Sequence, residues 1–114
     1  MLDDIPKRRR WPRSQRFVLS PQGVEAEAAY REVIIGAREQ GGRVAYEAAR
    51  KAWAEQLKVL PDDGMYLGEV RNGPSALDQV VAALDGCGKT KADTIEALER
   101  LVDAGLVAAP PAGG

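Results

Sequence analysis

Apolar side chains recur at helical spacing in two adjoining stretches near the end of the chain. Leu77, Val80, Val81 and Leu84 stand at i, i+3, i+4 and i+7 and line one face of a short helix. Ile95, Leu98, Leu101 and Val102 give a second, longer helix its buried stripe. Between them, Gly86 and Gly88 break the helix and take positive φ at little cost. Ser75, preceded by Pro74, is expected to cap the first helix. Thr90 is expected to cap the second, with Asp93 three residues on completing a variant of the capping box. Gly105 fits the position just past the helix end, and Leu106–Val107–Ala108 is then free to extend.

Earlier segments follow the same rules. Phe17–Val18–Leu19 is a short β-prone run. Ser20-Pro21 starts a helix that should run to about Glu39, with Val24, Ala28 and Ile35 close to one face and Tyr30, Val33, Ile34 and Ala37 widening it. Gly41-Gly42 ends it. Tyr46, Ala49, Trp53 and Leu57 stripe a further helix from about Arg43 to Lys58, with Trp53 as a core anchor. Leu60 to Gly64 reads as a turn. Its acids Asp62 and Asp63 lack the spacing and distal Glu of a calcium loop, so they are expected to be solvated. Met65 to Val70 reads as a strand, rich in β-favourable residues, that pairs with residues 106–109 and with Phe17–Leu19.

The order helix, glycine-bearing turn, longer helix and strand start over residues 75–107 is that of a helix-turn-helix entering a wing. Within it, ALERLVDAGLV (residues 97–107) resembles the end of the second helix in many bacterial winged-helix domains. The run Leu19-Ser20-Pro21-Gln22-Gly23 is similar to the wing-to-helix exit of some winged-helix regulators. The resemblance implies a mainly α fold: a winged-helix-like helix-turn-helix with two preceding helices and a small two- or three-stranded sheet. It is a pattern of sizes and breakers, so it speaks for fold more than for function.

A competing motif overlaps the corner. Ala83 to Thr90, ALDGCGKT, matches a relaxed phosphate-binding loop in which Lys89 meets phosphates and Thr90 holds the metal. Only 24 residues follow Thr90. They offer no strand for a second acid and no room for a parallel sheet, so Gly-Cys-Gly is read as a turn and Lys89-Thr90 as a helix start.

Composition narrows the function further. The 114 residues suit one domain with a single core. Histidine is absent, which removes imidazole acid–base work and most zinc chemistry. The lone Cys87 excludes an internal disulfide and fits a reducing cytoplasm. No apolar run approaches the ~20 residues of a membrane span. Neither cofactor, metal nor small-molecule substrate is implied. No paired base and nucleophile is visible, so an enzyme is not expected.

Net charge is −1, but residues 1–16 carry six basic against two acidic side chains, a net +4, and the remainder carries −5. The expected organisation is therefore a flexible basic arm (1–16), one winged-helix-like domain (17–109) and a flexible tail (110–114). Two functional readings follow. In the first, the protein is a small DNA-associated regulator. Lys7, Arg8, Arg9, Arg10, Arg13 and Arg16 grip phosphates, Trp11 stacks on bases, and Lys89, Thr90, Lys91 and Thr94 meet the backbone at the positive end of the second helix. In the second, it is a protein–protein adaptor or homodimer. The outward Asp93, Glu96, Arg100 and Asp103 of that helix then dock a basic partner. Residues 75–109 hold three basic and six acidic side chains, which favours the second reading; the arm favours the first.

Overall fold

Ser20 begins the longest element by accepting a hydrogen bond from the Gly23 amide (3.0 Å), with Pro21 at the first helical position. The computed structural model describes residues 11–72 and 75–110. Over these the chain runs β1 (Arg16–Leu19), α1 (Pro21–Leu57), α2 (Asp63–Arg71), β2 (Ser75–Ala76), α3 (Leu77–Asp85), α4 (Lys91–Asp103) and β3 (Val107–Ala108). The molecule is mainly helical, with one small antiparallel sheet. No helix among the described residues is long and apolar enough to cross a membrane.

Helix α1 is two helices joined at Gly42, whose φ of 67° and ψ of −150° lie in territory that glycine alone occupies freely. The halves fold back on each other. Trp53 Nε1 donates to the Ala26 carbonyl (3.1 Å), and the Tyr30 and Trp53 rings meet at 4.8 Å. Closure is tight at the corner, where a β-carbon on Gly41 would stand 2.6 Å from that of Ala45. The two expected helices are thus present, packed as a hairpin.

The strand expected over Met65–Val70 is instead helix α2. Asp63, Tyr66, Leu67 and Val70 stand at i, i+3, i+4 and i+7, and each is at most 2% exposed. One of the four stripe positions is an aspartate, which hides the helical period from a reading of apolar residues alone. The Asp63 carboxylate faces the core and accepts from the Leu60 amide at 2.9 Å, so Asp63 is not the solvated turn residue expected. Helix α2 lies at the centre, touching α1, β1, α3 and α4.

The sheet has the order β2-β1-β3. Arg16 and Phe17 pair with Ala76 and Ser75, and Val18 and Leu19 pair with Ala108 and Val107. β1 therefore takes the central place that the sequence reading assigned to residues 65–70. Ser75 lies in β2 rather than capping α3. The cap position is Ala76, whose amide donates to Gln79 Oε1 at 2.9 Å. The next two amides of α3 are satisfied from upstream, Leu77 N–H by the Gln15 carbonyl (2.8 Å) and Asp78 N–H by that of Arg13 (3.1 Å).

Helix α4 starts as its sequence requires. Thr90 Oγ1 accepts from the Asp93 amide and Asp93 Oδ2 accepts from the Thr90 amide, both at 3.0 Å. Gly88 (φ 83°) and Gly105 (φ 80°) take the left-handed turns before and after the helix, whereas Gly86 keeps a helical conformation. Phe17, Tyr66, Leu67, Val80, Leu98 and Leu101 form the middle of one continuous core.

Candidate functional site

The turn after α1 brings two aspartates against the α3–α4 corner. A cleft of about 490 Å³ opens there between the end of α1, the start of α2 and the start of α4. Asp62 bridges two cations across it. Its Oδ2 accepts from Lys89 Nζ at 2.7 Å and its Oδ1 from Arg50 at 2.6 Å. Arg50 also donates to Glu47 (3.1 Å) and to the Tyr30 hydroxyl (3.2 Å), and its guanidinium lies 5.4 Å from the centre of the Tyr46 ring. Asp63, 1% exposed, accepts both forks of Arg100 at 3.0 and 2.9 Å.

These contacts set the protonation states. The Lys89 ammonium, then Arg50, holds the Asp62 carboxyl below the usual aspartate value. Asp62 in turn raises Lys89. Burial alone would lower Arg50, but its hydrogen bonds to Asp62 and Tyr30 outweigh it and raise the guanidinium. Bonding to Asp63 raises Arg100. The Thr90 amide and hydroxyl lower Asp93. Burial raises the Tyr30 phenol. The cleft wall carries three cations, Arg50, Lys89 and Arg100, against five carboxylates, Glu47, Asp62, Asp63, Asp93 and Glu96. The arrangement is a charged clamp between the α1–α2 turn and the α3–α4 corner, and its cations are already engaged by carboxylates.

The residues expected to bind are placed unevenly. Lys7, Arg8, Arg9 and Arg10 lie outside the described residues. Trp11 is half-buried, with its ring edge-on to Phe17 at 4.9 Å, so it is not a free stacking platform. Gln15 is buried and donates to the Pro110 carbonyl at 2.6 Å. The boundary expected at residue 16 therefore falls inside packed chain, while Arg13 and Arg16 remain exposed. Thr90 is used as the α4 cap, Lys91 is exposed, and Thr94 is fully buried, which removes it from any phosphate contact. Arg100 does not point freely outward, because Asp63 holds it. Asp93 and Glu96 line the cleft, and Asp103 is exposed.

Reading the sequence missed Arg50, Asp62 and Asp63 as members of a site. The available signal was the i, i+3, i+4, i+7 spacing that begins at Asp63. Among the described residues, no group of three or more Cys, Asp or Glu side chains is arranged to hold a metal ion. The comparisons supply no relative: no protein-family model, no curated protein and no solved structure matches this chain.

Proposed function

We propose that the chain is a winged-helix-type, non-enzymatic nucleic-acid-binding module of the cytoplasm, which grips the phosphate backbone through its basic N-terminal segment rather than through the face of α4. The observation that carries this reading is where that segment joins the fold. In a winged helix the strand after the second helix turns through a wing and pairs with the strand that follows. Here the partner of β3 is β1, from the other end of the chain. The chain enters the sheet at Gln15–Arg16 and leaves it at Ala109–Pro110, side by side, as the Gln15–Pro110 bond requires. The described end of that segment, Trp11 to Arg16, thus meets the globule beside the exit of β3, with Arg13 and Arg16 exposed. Trp11 on Phe17 anchors the segment, and the Arg13 and Gln15 carbonyls tie it to α3.

A second reading, a protein–protein adaptor, draws on the clamp. Lys89 and Arg100 are already neutralised, and α4 carries two basic against four acidic side chains. That surface suits a basic partner better than a phosphate backbone.

Binding to non-specific duplex DNA across a salt series tests the first reading. Six cationic groups at the N-terminal end predict a slope of log K against log salt of about −5. Deleting residues 1–10, which spares Trp11 and the packed chain after it, removes four of them. The slope should then fall in magnitude by about 3 to 4. Full-length protein that binds no DNA at low salt would sink the reading. The adaptor reading predicts that Glu96→Lys with Asp103→Lys abolishes capture of a basic protein partner, and unchanged capture counts against it.

A further inference from the structure

We propose that the groove between the two arms of α1 and helix α2 binds a small anion carrying a flat apolar body, of the class of aryl carboxylates and aryl phosphates. This goes beyond the nucleic-acid reading and rests on different residues.

The anion site is built on a buried carboxylate. Glu27 is 3% exposed. It accepts from Arg31 Nε through both oxygens at 3.0 and 2.8 Å, and from Arg71 at 3.3 Å. One carboxylate thus holds two guanidinium groups, one from α1 and one from α2, and leaves a local surplus of one positive charge, while the Glu47 and Asp62 carboxylates that also line the groove are bridged by Arg50. The Arg31 and Arg71 side chains are 52% and 42% exposed. Their remaining fork N–H groups have no partner among the described residues. A carboxylate or phosphate set between the two forks meets paired donors in the geometry arginine favours.

The body site lies alongside. The groove is about 580 Å³, within the range of small-ligand sites, and Tyr46 and Met65 line it. Its floor includes Gly68, in the interior of the nine-residue α2. Glycine is the poorest helix former after proline, so it needs a reason to be there. Packing supplies none. A β-carbon on Gly68 would meet nothing within 4 Å, unlike one on Gly64, which would strike the Tyr30 ring at 2.3 Å. What the missing side chain provides is space, beside an aromatic wall and a cationic pair.

Calorimetric titration with benzoate, phenyl phosphate and inorganic phosphate tests this on the full chain. At least one aromatic anion should bind saturably and more tightly than inorganic phosphate; which of the two binds better identifies the anionic group. Gly68→Met fills the floor while leaving every charge in place, and should weaken binding by about tenfold or more without lowering the melting temperature. Arg71→Gln, which leaves Glu27 paired with Arg31, should weaken it similarly. The proposal is overturned if neither aromatic anion outbinds inorganic phosphate, or if both variants bind as the parent does.

Discussion

Thr94 and Asp63 sit equally deep, yet their side chains have opposite consequences. Thr94 is fully buried and its hydroxyl has no hydrogen-bond partner among the described residues. An unmatched buried hydroxyl costs about 1–3 kcal/mol, and valine has nearly the same shape without it. Thr94→Val should therefore raise the unfolding free energy by roughly 1 kcal/mol in urea titration; a loss of stability would mean that the hydroxyl is satisfied in solution. Asp63 is matched on both oxygens, by Arg100 and by the Leu60 amide. Removing one partner of a buried pair costs about 3–5 kcal/mol. The Arg100 side chain is 35% exposed and can regain water, so Asp63→Ala should cost less, roughly 2–3 kcal/mol. A melting temperature unchanged by Asp63→Ala would deny the clamp its structural role.

At the scale of elements, the two features that set the architecture are the hairpin corner and the clamp. Gly42 holds a backbone conformation that any side chain strains, so Gly42→Ala should destabilise by about 1–3 kcal/mol, read from the urea midpoint. The clamp predicts a pH profile. Asp62 is held below its ordinary value of 3.8, so its contribution is present above that value and is lost as pH falls through the depressed one. Lys89 is held above 10.5, so its contribution is present below that value and disappears only as pH rises through the raised one. Stability from this pair should be level between those limits and fall at acid pH. Asp62→Asn should shrink the acid fall without abolishing it, because Asp93 is also held low by the Thr90 cap. These features also show where the sequence was legible. Helices α3 and α4 were, because their stripes are uninterrupted; the cap of α4 is local and was read, whereas the first amides of α3 bond to residues 13 and 15, which no local pattern signals. Helix α2 was not, because an aspartate occupies one stripe position. Lys89 was visible as a cation, but its partner lies 27 residues away in a segment that reads as a solvent-exposed turn. The β1–β3 pairing joins segments far apart in the chain, and no local pattern specifies it.

For the molecule as a whole, the proposed function turns on which surface would meet a polyanion. Four of the proposed candidates, Lys7 to Arg10, precede the described residues in the sequence, whereas Lys89 and Arg100 at the α3–α4 corner are engaged from within. Asp62 occupies Lys89 much as a phosphate oxygen would. If DNA lay across the corner, it would have to displace that carboxylate, and each bound state would give up an ion pair to gain a phosphate contact. Asp62→Asn removes the competitor and leaves Arg50 with Glu47 and Tyr30. A polyanion that crosses the corner should then bind the variant more tightly, with a salt slope steeper by about 0.9, the value for one added phosphate contact. A polyanion confined to the N-terminal segment should bind both proteins alike, with the same slope. Because the parent protein must bind DNA for either result to be read, the experiment separates failure of the nucleic-acid reading from a misplaced footprint. The charge pattern favours the second outcome, since the corner surrounds its three cations with five carboxylates and would repel a phosphate backbone even after one is removed.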